Sequence, residues 1–489
     1  MNTTLTEIID NFKRELVSLM EFIGMPDPED LTAFSDWAVE MMNNGNESIT
    51  INSLEENFKA LISRTCTGFM ASMIQMIDEA IHDAKSVRRD MNLAVERRDD
   101  QRSVLLSFGT LLFNRTYYKC TGTDGPGYTY PVDNILGLGQ YQRLSNGISN
   151  DITNAAIYQS YKKASGEVTG GAVSAQTVMN KLRESVAPSV PNAPIKSKPA
   201  ALHIDVDEDH VHVQRKGDTS KAKSVIVPLA TVYEGIYHLG KRGICINPFS
   251  ISRYGLSADD FWETVLDEIE KIYDISDTVI YIHGDGAKWI RTGLNWFPHS
   301  KFVLDEYHKN KYIKKTFSGI PASEAEPINE QLREILESKD KDNILCLQGE
   351  LIFRYPDRMK TIMEGTGYLY NNFDGIRIRQ DDPESKNGGA TEPHVSHILS
   401  SRLSSRPRAW SEKTLTAFAP ILAKGIAIYG MEAEEPQEEK IRLYVKDRKE
   451  KSHPFARILG LPDPDNSVSI PTQGKVTPLH TILKSYFGG

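Results

Sequence analysis

The chain has 489 residues, 57 basic and 66 acidic side chains and a net charge of −9. At roughly 150 residues per domain this is about three domains, or one elaborated catalytic domain with appendages. With 39% hydrophobic and 25% charged residues and no apolar run near the ~18–20 residues of a membrane span, the sequence excludes a helical membrane protein and reads as soluble and globular. Met1 to Glu7 lacks the basic and apolar blocks of an export signal, so a cytoplasmic location is expected. The sequons at Asn2, Asn46 and Asn114 would matter only in a secreted chain. Cys66, Cys120, Cys245 and Cys346 are isolated, so neither a disulfide framework nor a zinc module is indicated. The acidic balance confines any nucleic-acid surface to a local patch.

Residues 1–103 read as an N-terminal helical region. Apolar residues recur at helical spacing through Ile8, Phe12, Leu16 and Leu19, and again through Phe69, Ile74, Ile77 and Ile81. The mixed charged run Arg88–Arg102 closes it, as a solvated helix face or, in a second reading, a DNA contact. From Val104 to residue 146 the content turns strand-like, with a glycine-rich connection at 125–127. Residues 147–187 return to helix, with a break at Gly170-Gly171 and Ser174 as an N-cap. This is the outline of a helix-turn-helix whose second helix offers Gln176, Thr177, Asn180, Lys181 and Arg183 to a major groove, although two helices joined by a glycine turn are also a common packing unit. Pro188, Pro191, Pro194 and Pro199 mark 188–200 as a linker. A compact domain is expected over 201–430, followed by an accessory tail at 431–489.

The chemistry-bearing stretch opens with ALHIDVDEDHVHVQ at 201–214. Leu202, Ile204 and Val206 alternate with His203, Asp205 and Asp207, which puts two carboxylates on one strand face. Val211 and Val213 read as a return strand, and KSVIVPLATVYEG from Lys223 as a third, forming a meander. Ser257 caps an acidic amphipathic helix leading into the buried strand TVIYIHGDG, at whose C-terminal end stands Asp285. A fifth strand, Phe302 to Leu304, precedes Asp305 and His308. Three strands, a helix and a parallel fourth strand form the ribonuclease-H-like arrangement, an α/β core in which the first and fourth strands are neighbours and Asp207 meets Asp285. Convergent carboxylates of this kind suit magnesium, a hard ion that prefers oxygen ligands. The alternative is that Asp205, Asp207 and Asp209 decorate an exposed strand and turn.

IDVDEDHV at 204–211, GDGAKWI at 284–290, LDEYH at 304–308 and TEPHVSHILSSRLSSRPRAWS at 391–411 resemble the DDE transposases of bacterial insertion sequences, specifically the ISLre-type group related to Mutator-like transposases. RTYYK at 115–119, SYKKA and VSAQTV resemble it too, so the likeness runs from about residue 104 to 430. The resemblance implies a ribonuclease-H-like core with a helical insertion over about 316–376 and Glu392 as third acid, with Glu364 as the fallback. The first acid is Asp207 or Asp205, and the family pattern favours Asp207. Asp207, Asp285 and Glu392 would hold two magnesium ions, with manganese substituting, and Asp305 and His308 would be a supporting pair. The implied activity is cleavage at transposon ends and strand transfer into target DNA, with double-stranded DNA as partner and a homodimer or higher oligomer bridging two ends. Rivals are a nuclease of the same fold without strand transfer and a catalytically silent DNA-binding protein. Lys309, Lys311, Lys314 and Lys315 form one basic strip beside the acids, and Arg402, Arg406, Arg408 and Lys413 another. Both would hold phosphates, while Trp410 would stack on an unpaired base.

Overall fold

The computed structural model describes residues 50–90, 92–120, 127–214, 223–240, 242–389, 391–405 and 409–430. The chain divides into two compact units at Ile152/Thr153. The tail at 431–489 lies outside the described residues.

The first unit begins with helices α1 (Ile51–Asp83) and α2 (Lys85–Asp90), followed by strands β1 (Leu93–Leu106), β2 (Gly109–Cys120) and β3 (Gly127–Thr129), an antiparallel sheet in sequence order. Ile74 of α1 packs with Val104, Leu111, Phe113 and Val132. Asp78 reaches the sheet by accepting the Thr116 N–H at 3.0 Å and its hydroxyl at 2.6 Å. The helix expected through Arg102 gives way to strand from Leu93, because residues 93–106 pair with β2 along its whole length. Register shifts between Val95 and Arg97 and between Arg97 and Asp100 interrupt the alternation that would have announced a strand. Arg102 is no solvated residue: it is buried, donates to Asp133 at 2.5 Å and to the Gly139 and Gln142 carbonyls, and so satisfies a charge that would be costly alone. Short helix α3 (Pro131–Ile135) carries Asp133, and α4 covers Asn146–Tyr158.

In the second unit α5 (Tyr161–Thr169) ends at Gly170 in the left-handed conformation, and Ser174 caps α6 (Ala175–Glu184) by accepting the Thr177 N–H. A five-stranded sheet follows in the order β10-β9-β4-β5-β8. It consists of β4 (Ala201–Val213), β5 (Lys223–Tyr233), β8 (Phe249–Ser252), β9 (Val279–Gly284) and β10 (Ser300–Leu304). β10, β9 and β4 are parallel, while β5 is antiparallel to both β4 and β8. The return strand expected at Val211 and Val213 is instead the end of one 13-residue strand, β4, whose Val211 and Val213 still pair with β5. The third strand is β8, reached through the hairpin β6 (Ile236–Leu239) and β7 (Arg242–Cys245).

Leu202, Ile204 and Val206 meet Phe261, Trp262, Val265 and Ile269 of helix α7 (Ala258–Glu270), whose N-cap is Ser257. Helix α8 (Lys288–Thr292) follows β9. After β10 come α9 (Glu306–Thr316), α10 (Ala322–Glu337), α11 (Asn343–Arg354), α12 (Met359–Asn371) and α13 (Phe373–Asp381). Helix α14 (Thr391–Val395) continues as a π-helical turn to Ser400 and as α15 (Ser401–Leu403). Its buried Val395, Leu399 and Leu403 join Val211, Val227 and Leu229 and residues of the last helix, α16 (Glu412–Lys424), in a second core.

The Pro-rich stretch is a strap rather than a free linker. Its Ala193 and Ser197 N–H groups donate to the carbonyls of Lys271 and Ile272, and the Val190 N–H donates to Glu268 Oε2 at 3.3 Å. Glu268 also accepts from Lys271 at 2.5 Å and lies 3.5 Å from Lys424. Burial alone would raise the Glu268 pKa, but the hydrogen bond from Lys271 and the charge of Lys424 outweigh it and hold the carboxyl below its usual range. Burial still keeps Lys424 and Arg253 below their ordinary values, so the one carboxylate offsets only part of their desolvation. Because the folded-state pKa of Glu268 is depressed, its stabilisation is present above the unfolded value of about 4.3 and is lost as pH falls through the folded value. Glu268→Gln is expected to cost about 3 kcal/mol in urea unfolding at pH 7, by leaving Lys424 without its counter-charge, and much less near pH 3.

Candidate active site

Three parallel strands place the acids. The register pairs His203 with Tyr281 and Asp205 with His283 across β4 and β9, and Val303 with His283 across β10 and β9. Two residues further along each pairing, Asp207, in the middle of β4, falls in one row with Asp285 and Asp305, which stand just past the C-terminal ends of β9 and β10. The Asp305 N–H donates to the Gly284 carbonyl at 3.1 Å, which fixes the start of α9 to the end of β9. Asp285 stands between two glycines for steric reasons. A Cβ on Gly284 would lie 2.8 Å from the Val206 carbonyl, and Gly286 has φ +84° with Asn372 Oδ1 where its Cβ would be. Asp285 Oδ1 accepts the Ala287 N–H at 2.8 Å and turns the chain into α8.

The electrostatics follow from this row. Burial pushes Asp207 up to about 6, and Asp285 and Asp305 add to the rise; the Glu208 N–H and His308 oppose it. His308 is the single imidazole among the three carboxylates. Its Nδ1 lies 2.8 Å from Asp305 Oδ2, and its N–H donates to Asp305 Oδ1 at 2.8 Å, so Asp305 is both N-cap and ring anchor. Burial works to lower the His308 pKa, but the Asp305 hydrogen bond and the charges of Asp305, Asp207 and Asp285 outweigh it and raise it. Beside them Glu208 accepts from the Trp289 indole at 2.5 Å, and burial holds its carboxyl above its usual range.

Asp205 is sequestered. It is 2% exposed and its carboxylate meets Tyr233 Oη at 3.0 Å, the Gly389 N–H at 3.1 Å and His394 Nδ1 at 3.1 Å. Burial alone would raise its pKa, but His394 and Tyr233 hold it below the usual value, while His394, despite burial, is lifted to about 9 by Asp205 and Cys245. Glu392 lies in α14, which packs on β4; its side chain is outside the described residues. Glu364 is exposed and paired with Lys315 at 2.8 Å. Among the described residues no three His, Cys, Asp or Glu side chains converge closely enough to hold a metal ion as they stand. The donor set is of the kind a hard divalent cation takes: the carboxylates of Asp207, Asp285 and Asp305 lie across three adjacent parallel strands with the His308 imidazole beside them, and burial holds Asp207 toward its neutral form.

The DNA-contact residues expected from the sequence divide. Gln176 and Asn180 are exposed on α6 and bonded to each other at 3.1 Å. Lys181 instead bonds Tyr429 and Glu184, and Arg183 donates to Thr414 Oγ1 at 2.9 Å and Ser411 Oγ at 2.8 Å, so these two cations tie α6 to the body. Arg402 is buried over the rings of Trp410, Phe418 and Tyr161 and donates to the Ala156 carbonyl; it belongs to the core and not to a basic strip. Trp410 cannot stack on a base: its ring is buried, its indole donates to the Leu403 carbonyl, and its backbone extends β4 through bonds with His212 and Gln214. Arg406 and Arg408 lie outside the described residues. On α9, Lys311 and Lys314 are exposed, Lys309 pairs with Glu306 and Lys315 with Glu364.

Sequence reasoning missed the second layer. Tyr368 donates to the Asp285 carbonyl at 2.5 Å, and Arg291 donates to Asn372 Oδ1 at 2.7 Å beside Gly286. Neither Tyr368 nor Asn372 carries a motif, whereas His394 stood inside the TEPH block and could have been weighed.

The fold and site define a mixed α/β protein with a five-stranded sheet and an acidic row at its parallel end. The chain belongs to the family described as Uncharacterised protein family (UPF0236), whose model matches residues 44–440. A UPF0236 protein of Caldanaerobacter subterraneus subsp. tengcongensis is 30% identical over 97% of this chain and 95% of its own length, and its name joins eleven locus labels. A second from that organism is 30% identical over 90% of this chain and 92% of its own. A UPF0236 protein in the vanSb 3′ region of Streptococcus gallolyticus is 24% identical over 74% of this chain and 80% of its own. A chain of the Drosophila P element transposase strand transfer complex covers 64% of this chain and 83% of itself at 14% identity, with a TM-score of 0.21, too slight a likeness to establish a shared fold. Among the described residues no helix is long and apolar enough to cross a membrane.

Burying Asp207 has a measurable cost, to which the neighbouring carboxylates add. A carboxyl whose folded pKa is raised stabilises the protein below its unfolded value of about 4 and loses that advantage as pH rises through about 6. Asp207→Asn, measured by urea unfolding at pH 8 with chelator present, is expected to stabilise the protein by about 2 kcal/mol, and the gain should vanish near pH 4.

Proposed function

We propose that this chain is a DDE-type transposase with a ribonuclease-H-like catalytic core, acting on the ends of a mobile DNA element. The observation that carries the reading is the row Asp207, Asp285 and Asp305 with His308 across three adjacent parallel strands, Asp207 within β4 and the other two acids just past the ends of β9 and β10. The mixed five-stranded sheet, with three parallel strands and two antiparallel ones, supports the ribonuclease-H-like part of the reading. The eleven locus labels in one relative's name, read as copies of one gene in one genome, are the trace expected of an element that moves itself.

In this reading Asp207, Asp285 and Glu392 hold magnesium, with manganese as substitute. When bound, the two ions supply charge neutralisation at phosphorus and a water or 3′-hydroxyl activated for in-line displacement. The chain's own groups do the remainder. Asp305 holds His308 by Nδ1 and leaves Nε2 for a phosphate oxygen. Burial of the acids excludes bulk water and strengthens each charge–charge interaction there. Lys311 and Lys314 on α9 receive backbone phosphates, and Gln176 and Asn180 on α6 reach base edges. Two element ends require two active sites, hence a homodimer or higher oligomer.

A supercoiled plasmid carrying the DNA that flanks the reading frame tests this. Nicking that depends on manganese or magnesium is expected, and Asp285→Ala should lower it by roughly three orders of magnitude. A pre-nicked end oligonucleotide should be joined to target DNA; nicking without joining would leave a nuclease of the same fold. In a separate binding titration, Gln176→Ala with Asn180→Ala should reduce preference for end DNA by about 1–3 kcal/mol. Arg183→Ala should lower stability and leave that preference intact.

A further inference from the structure

We infer that Asp205, Tyr233 and His394 form a buried anchor that positions the segment bearing Glu392 against the strand bearing Asp207. The inference rests on the transposase reading for its catalytic consequence and on geometry alone for the anchor. Asp205 precedes Asp207 by two residues on the same face of β4, and His394 follows Glu392 by two in α14. One carboxylate therefore meets both flanks of the Glu392 segment: it accepts the Gly389 N–H at 3.1 Å on one side and lies in ion-pair contact with the His394 ring, 3.1 Å from Nδ1, on the other. Tyr233 of β5 completes it, donating to Asp205 Oδ2 at 3.0 Å while its oxygen accepts the Gly389 N–H at 3.0 Å.

The glycines make the approach possible. A Cβ on Gly388 would stand 2.4 Å from His283 Nε2 and 2.5 Å from His203 Nδ1, and Gly389 has φ +98°. The histidines that receive this segment are themselves fixed, 3.1 Å apart between ring nitrogens, with His203 stacked between Tyr233 and Tyr281. Arg379 donates to the Gly388 carbonyl at 3.3 Å. Packing alone would be served better by apolar residues, because a buried carboxylate is costly to desolvate. What it adds is direction: one carboxylate on a rigid strand, held by Tyr233, sets where the Gly389 and His394 flanks of the segment lie.

His394→Ala and His394→Asn separate positioning from mere support, since the asparagine amide can restore an N–H near the Nδ1 position. The first readout is hydrogen exchange of the 388–395 backbone in metal-free protein. It should speed up at least about tenfold in the alanine variant and return toward wild type in the asparagine variant. The second is end nicking with manganese. The alanine variant should lose roughly 10–100-fold in kcat with KM for DNA nearly unchanged, and the asparagine variant should recover most of it. Unchanged exchange in the alanine variant overturns the anchor whatever the activity. Faster exchange with full kcat overturns the positioning role. Wild-type protein that does not nick with manganese overturns the transposase reading and the positioning role with it, and the exchange result then reports on the anchor alone.

Discussion

The parallel alignment of β4, β9 and β10 is the constraint from which the rest follows. Register in a parallel sheet is fixed by burial, because a one-residue slip turns every side chain to the wrong face. Here both faces of β4 are covered from Ala201 to Asp207. One carries Leu202, Ile204 and Val206 into the α7 layer, and the other carries His203 and Asp205 into the polar layer. Apolar packing on the first face thus dictates the row of acids at the end of the second. The protein tolerates like charges there because some 30 buried apolar residues in one cluster hold the register.

Asp205 and Asp207 show how little sequence position says about a carboxylate. They share a strand, a face and near-complete burial, yet one titrates below the usual range and the other near 6. The difference is the supply of partners. Asp205 has a phenol, an amide and an imidazole around it, while Asp207 has its neighbour's amide, more distant His308 and two other acids. A carboxylate with hydrogen-bond partners on several sides stays ionised despite burial, and one with few partners beside other acids is pushed toward its neutral form.

The core was legible where period and burial agree. The alternation of 201–207, the apolar runs of β9 and β10, the Ser257 cap and the helix–Gly-Gly–helix outline all stand in the fold. Legibility failed where the same composition serves two environments. Arg402 and Trp410 lie in a Ser/Arg-rich run that reads as a surface strip, but a guanidinium over three aromatic rings is a core element and leaves no mark in local sequence. The charged run 93–102 hid a strand because its bulges erase the two-residue period. The prolines at 188–199 suggested slack, yet backbone bonds to Lys271 and Ile272 need no side-chain signature.

The helices between β10 and α14 bear on the acids directly. Tyr368 and Asn372, at the end of α12, meet the Asp285 carbonyl and the position where a side chain on Gly286 would go, and Arg291 closes the contact from α8. The turn that aims Asp285 is therefore held from more than 80 residues away. Tyr312 of α9 stacks on Tyr368 at 3.6 Å between ring centroids, which ties the helix that begins at Asp305 to the same support. Displacing α12 would move Asp285 and the Asp305–His308 pair together. Asp285 and the Asp305–His308 pair then share a support in α12, and this arrangement makes the segment after β10 part of the site's frame.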